Sequence, residues 1–134
     1  SGGGIKASTA PYSTIDNSFD VVDLATAAGA TFVARSTTYH TKQLSSFIEK
    51  AIQHKGFSVV EALTQCPTHF GRKNKVGGAV QMINWYKDNT TSVGSKAKQE
   101  NPDLIERGIF VDREAPEYCH SYDQLMTQVQ EGGR

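Results

Sequence analysis

The stretch from Phe57 to Leu63 is apolar at nearly every position, the pattern of a strand covered on both faces. It follows a helical period in which Leu44, Phe47, Ile48, Ala51 and Ile52 share one face. That period predicts a helix from about Thr41 to His54, with His54 and Lys55 at its negative end and Gly56 ending it. Before the polar turn Ser36-Thr37-Thr38-Tyr39-His40 stands a compact β-forming run, Thr31 to Arg35. Strand, helix and strand in this order make a βαβ unit, and a helix-length crossover implies parallel strands and a right-handed connection. Buried parallel strands need neighbours in the sheet and helices on both sides. The sequence offers one more short candidate, Ile109-Phe110-Val111. On this reading the chain does not supply its own sheet. The expected fold class is therefore α/β, as the carboxyl-terminal part of a larger domain or as a subunit that completes its core against another chain.

The flanking segments are signed more locally. From Ile5 to Ser18, Ser, Thr, Asn and Pro occur without an apolar period, as in a loop. Asp20 stands where a helix N-cap should be, Asp23 meets the positive end of the dipole, and Val21, Leu24, Ala25 and Ala28 recur at helical spacing. Phe19 and Leu24 can form a hydrophobic staple across that cap, and Gly29 closes the helix in a left-handed C-cap. Further on, Ala79, Met82, Ile83 and Tyr86 predict a third helix, roughly Gly78 to Asn89, and Thr90 to Gln99 reads as a linker. Ser121 and Gln124 form a capping box for a last helix with Tyr122, Leu125, Met126 and Val129 on one face, a tail docked on something apolar.

Composition narrows the functional classes. The chain of 134 residues has one domain's length, and fourteen basic side chains balance fourteen acidic ones, so no whole-chain field draws in nucleic acid or an anionic membrane. No apolar run approaches the ~20 residues of a bilayer span. No charged start leads into an apolar signal core, and the cytoplasm is the expected compartment. Cys66 and Cys119 are too few for a disulfide framework and lack Cys-x-x-Cys spacing. Ser1-Gly2-Gly3-Gly4 reads either as an added remnant or as the stub of a glycine loop.

Chemistry concentrates after the second strand, where ligands of open parallel sheets sit. Cys66 falls there, made rigid by Pro67. On spacing alone such a lone Cys reads as a small buried hydrophobe, with a metal or cluster ligand as the alternative. His69, three residues on, completes only one close pair, so a structural zinc site is the lesser reading beside a polar loop histidine. Arg72, Lys73 and Lys75 make a compact basic loop. It reads first as a solvated surface or subunit contact, and otherwise as a site for a phosphate, coenzyme A or an acidic protein. It lacks the Gly-x-x-x-x-Gly-Lys-Ser/Thr of a P-loop, and with Phe70 and Trp85 it makes a thin footprint for single-stranded nucleic acid. There is no Gly-x-Ser-x-Gly elbow, no local signature pairs Cys66 with His40 or His69, and Asp23 and Glu61 are not spaced as an acid/base pair.

The residues also carry a family resemblance. Thr9-Ala10-Pro11-Tyr12, Phe19-Asp20, Leu24-Ala25, Ala28 to Arg35, Lys55-Gly56-Phe57, Gln65-Cys66-Pro67-Thr68 and Gly71 to Lys75 resemble the β subunit of 2-oxoacid:ferredoxin oxidoreductases, nearest the 2-oxoglutarate branch. The likeness runs on through Gly108-Ile109-Phe110-Val111-Asp112 into the tail. It implies the carboxyl-terminal part of a thiamine-diphosphate-binding domain, three-layered with a mainly parallel sheet, over residues 1–92, followed by a linker and subunit-docking tail over 93–134. It further implies a cytoplasmic complex with an α subunit. That complex converts a 2-oxoacid and coenzyme A to an acyl-coenzyme A, with electrons passing through an iron-sulfur cluster to ferredoxin or a similar acceptor. Cys66 matches the last cluster-binding cysteine of the family.

The departures from the pattern are equally specific. The family's Cys-x-x-Cys and third cysteine, which complete a [4Fe-4S] site, are not in this sequence, nor is the Gly-Asp-Gly and Asn-Asn signature that holds magnesium and the diphosphate. The chain alone is therefore expected to bind none of these cofactors tightly, to be inactive by itself and to be oligomeric, because open sheet edges invite pairing. The competing reading is a non-catalytic α/β module that binds an anion or protein through residues 71–75.

Overall fold

The computed structural model describes residues 4–7 and 10–132. Ser1 to Gly3, on which most of the glycine-stub expectation falls, and Thr9 of the resemblance lie outside the described residues. Asp20 caps helix α1 (Val21–Ala27), its carboxylate accepting from the Val22 and Asp23 N–H groups, and Gly29 follows the helix with φ +88°. Ala25 of the expected face is buried, but its buried companion is Val22 instead of Val21 or Leu24; Phe19 and Leu24 are both exposed, so no staple is buried across the cap.

Strand β1 (Phe32–Thr37) is buried at every residue and outruns its expected end, because Ser36 and Thr37 continue the ladder before the turn. Helix α2 (Thr41–Gln53) returns the chain to β2 (Ser58–Leu63), which pairs in parallel with β1 from Phe32↔Ser58 to Thr37↔Leu63. The βαβ unit is thus as expected. Of the apolar face of α2, Phe47 is buried and Leu44 and Ala51 are half-buried, while Ile52 stays 79% exposed. A π-helical turn (Pro67–Gly71) and a short α3 (Arg72–Asn74) lead to α4 (Ala79–Asp88), which buries Met82.

The expected linker contains β3 (Thr90–Ser92) and α5 (Lys96–Glu100), and the short strand candidate extends to β4 (Ile105–Asp112). The four strands lie in the order β2-β1-β4-β3, with β4 antiparallel to β1 and β3 parallel to β4. The sheet therefore crosses residue 92/93. Strand β2 is half-exposed, contrary to its expected double cover, because it is an edge: no described strand lies beyond it.

Side-chain alternation along β1 divides the core. Val33 packs with Val22 and Ala25 of α1, with Val59, Phe110 and Val111 around them. Phe32 and Ala34 point the other way, onto Phe47 of α2, with Ala51, Val60 and Ile109. Helices thus cover both faces of the sheet, giving three layers. A bulge lets Val33 pair with Val111 and Ala34 with Ile109, so Phe110 is the extra residue and joins Val111 on the α1 side. The last helix, α6 (Tyr118–Gln130), is capped by Glu117 and not by Ser121, as the Glu117 carboxylate accepts from the Cys119 and His120 N–H groups. Its apolar face, with Tyr122, Leu125, Met126 and Val129, is exposed. No described helix is long and apolar enough to cross a membrane.

Candidate functional site

The carboxyl end of β2 leads within three residues to Cys66, the residue that opens the π-helical turn. Pro67 begins that turn without an N–H to satisfy, and the Gly71 N–H closes it on the Cys66 carbonyl at 3.0 Å. Gly71 packs closely on α4: a Cβ there would lie 2.9 Å from Met82 Sδ, so that side chain would have to shift. The N–H groups of Phe70 and His69, and more weakly Thr68, are turned toward the exposed Cys66 thiol and hold it below the ordinary thiol range. None forms a full capping hydrogen bond, so the sulfur keeps its coordination open. A thiol in the positive field of a helix start is a better thiolate, and hence a better nucleophile at a given pH and a better metal ligand.

Cys66 borders a cleft of about 690 Å³ whose walls include Phe70, Met82 and Trp85, and which Arg35 and Glu61 also line. Sequence reasoning passed over Arg35. Its side chain is 10% exposed and donates at 2.5 Å both to Glu61 of β2 and to Asp20 at the cap of α1. It also lies 5.6 Å from the centre of the Phe110 ring. Burial opposes the charge on Arg35, but the hydrogen bonds to Asp20 and Glu61 outweigh it and raise its pKa. Burial likewise opposes ionisation of Asp20, and the Arg35 and Val22 donors outweigh it, holding that carboxyl below its usual range. A charge inside an otherwise buried strand was the available signal, since such a group needs a partner.

The other expected residues are scattered. Arg72, Lys73 and Lys75 are exposed on α3 and just after it, and His69 is exposed in the π-turn. Asp23 is exposed on α1, remote from the role of Glu61 in the Arg35 pair. His40 bonds Thr37 Oγ1 through Nδ1 at 2.9 Å, and burial and the Arg107 charge keep it below the ordinary histidine range. Both cysteines are free, and Cys119 sits on α6 with Glu117, whose hydrogen bond and charge raise its pKa. Among the described residues no group of three or more His, Cys, Asp or Glu could hold a metal. Among the described residues the Cys66–His69 pair therefore has no further ligands for zinc, and Cys66 stands as a single exposed thiol. The sequence lacks the Gly-Asp-Gly and Asn-Asn signature expected to hold magnesium and the diphosphate.

A sheet with helices on both faces and a cleft beyond a parallel strand end is the architecture of a cofactor-binding α/β domain. Residues 2–62 match the family described as "Thiamine pyrophosphate enzyme, C-terminal TPP binding domain". The chain is 44% identical over 129 residues to the 2-oxoglutarate synthase subunit KorB of Methanothermobacter thermautotrophicus, covering 93% of this chain and 45% of the relative. It is 40% identical over 129 residues to the subunit of the same name from Methanocaldococcus jannaschii, covering 94% and 48%. It thus spans about half the length of these curated relatives. Its fold superposes over 100% of its length, at TM-score 0.74 and 20% identity, on 46% of a chain of a 2-oxoglutarate:ferredoxin oxidoreductase from Magnetococcus marinus with 2-oxoglutarate, coenzyme A and succinyl-CoA bound. The fold is that of a thiamine pyrophosphate enzyme domain. Within that class the chain is homologous to the β subunits of 2-oxoacid:ferredoxin oxidoreductases, 2-oxoglutarate branch, as the resemblance implied.

Proposed function

We propose that this polypeptide works as part of the β subunit of a 2-oxoglutarate:ferredoxin oxidoreductase, a complex with an α subunit that oxidatively decarboxylates 2-oxoglutarate to an acyl-coenzyme A. The observation that carries the reading is an exposed thiol of lowered pKa at a parallel strand end, in a chain 44% identical along 93% of its length to a 2-oxoglutarate synthase subunit. Cys66 is then one ligand of a [4Fe-4S] cluster, and the N–H groups of Phe70 and His69 favour its thiolate form.

Thiamine diphosphate, with magnesium, supplies the decarboxylation chemistry in the full enzyme, held by residues other than those described. The part of this chain is to complete the sheet, present Cys66 and wall the cleft beside it with Phe70 and Trp85. The exposed apolar face of α6 is the surface by which the tail docks on another part of the complex. The compartment proposed is the cytoplasm.

The test is an assay of the assembled α and β subunits for reduction of a viologen dye that requires both 2-oxoglutarate and coenzyme A. Turnover with 2-oxoglutarate and coenzyme A supports the proposal. Failure of every 2-oxoacid to reduce the dye contradicts it and leaves the anion- or protein-binding module as the reading.

A further inference from the structure

We infer that the basic loop of residues 71–75 is a docking surface for an acidic electron-acceptor protein, which it positions over Cys66; this rests on the reading of Cys66 as a cluster ligand. The chain as a whole is neutral, yet residues 62–87 contain no carboxylate while including His69, Arg72, Lys73, Lys75 and Lys87. The charge is therefore segregated onto the segment that carries Cys66. Arg72, Lys73 and Lys75 are exposed, and both ion pairs found among the described residues belong instead to Arg35.

The loop is held in place rather than free to follow solvent. Asn74 donates through Nδ2 to the Phe70 and Lys6 carbonyls at 3.0 Å each and accepts from the Lys6 N–H at 3.0 Å, tying it to the chain's opening segment. Lys75 is fixed in the left-handed region at φ +54°. Arg72 directly follows the turn that Cys66 opens, so at a helical rise per residue Arg72 lies about 9 Å and Lys75 about 14 Å along the chain's axis from Cys66. Exposed Val76, Val80 and Trp85 lie in the same segment, giving the mixture of apolar surface and charge that a transient interface uses.

A small phosphate is the weaker match. Asn74, the polar side chain between the cations, is spent on Lys6 and Phe70, and the three cations are all exposed, whereas a built anion site desolvates its charges. An acidic protein needs only a fixed basic patch at the right distance, and steering by such patches is lost with rising salt.

The experiment measures ferredoxin binding to the assembled two-subunit enzyme by calorimetry, at low and high salt, for the parent and for Arg72→Gln, Lys73→Gln and Lys75→Asn combined. Asn is chosen at 75 because it tolerates positive φ. The expected result is a Kd raised about ten- to hundredfold with most of its salt dependence gone, while iron content, melting temperature and dye reduction stay at parent values. Unchanged ferredoxin affinity in an iron-replete variant overturns the docking inference alone. A raised KM for coenzyme A with ferredoxin affinity unchanged also overturns it, assigning the loop to phosphate. Absence of iron from the parent enzyme overturns the cluster reading, and with it the reason for docking there.

Discussion

The Arg35 guanidinium donates to the Asp20 carboxylate at 2.5 Å, so the central strand grips the residue that caps α1. One carboxylate thus serves two structures, accepting from the Val22 N–H at 2.8 Å as well. Replacing Arg35 with Met leaves Glu61 half-buried without its partner and Asp20 with its cap contacts alone. The expected loss is about 2–4 kcal/mol in denaturant unfolding, kept below the full cost of breaking a buried pair because Asp20 is 43% exposed. Asp20→Asn keeps a cap acceptor and should cost about 1 kcal/mol. Equal losses in the two variants would contradict this division.

The same pair fixes a pH dependence. The folded pKa of Asp20 lies below its ordinary value of 3.8, so the folded state favours the ionised form. The stability this contributes is fully present above 3.8 and is lost as the pH falls through the lower folded value. The gap between parent and Asp20→Asn in unfolding free energy should therefore be constant near neutrality and shrink below that pH. A gap that grows on acidification contradicts the assignment.

Gly56 has φ +129°, and a Cβ there would lie 2.3 Å from Thr31 Oγ1, which bonds the Phe57 N–H at 3.0 Å and His54 Nε2 at 2.9 Å. Gly56→Ala must break this knot at the start of β2 and should cost about 2–4 kcal/mol. Gly29→Ala meets nothing within 4 Å at φ +88°, and strain alone should cost about 1 kcal/mol. Thermal unfolding of the two variants checks the order.

The two cysteines provide an internal comparison. Both are exposed, but backbone N–H groups lower the Cys66 pKa, whereas the Glu117 hydrogen bond and charge raise that of Cys119. Alkylation by iodoacetamide of the metal-free chain at pH 7, followed by peptide mass spectrometry, should label Cys66 first by several-fold. Glu117→Gln should narrow the difference by speeding Cys119. Faster labelling of Cys119 in the parent would contradict the electrostatic account.

Local patterns made much of this fold legible, and non-local pairing hid the remainder. The Asp20 cap follows from neighbours in sequence, and the parallel direction of β1 and β2 from the helix-length crossover between them. Strand β3 is Thr90-Thr91-Ser92, polar and without a period, and exists because it pairs with residues 105–107 of β4. That part of β4 reads Ile105-Glu106-Arg107-Gly108, whose charges and glycine conceal a strand. At the site, the position of Cys66 after a strand end is legible in the sequence, while the ligand role proposed for it rests on the family likeness. Arg35 went unread because its two carboxylates stand 15 and 26 positions away, a separation no local motif spans.

The most direct test of the central claim replaces Cys66 in the assembled two-subunit enzyme. Iron content and the electron paramagnetic resonance of the dithionite-reduced protein are read for the parent, Cys66→Ala and Cys119→Ala. The account predicts a cluster signal in the parent and in Cys119→Ala, and its loss or marked alteration in Cys66→Ala with the subunits still assembled. A full, unchanged cluster in Cys66→Ala would contradict it.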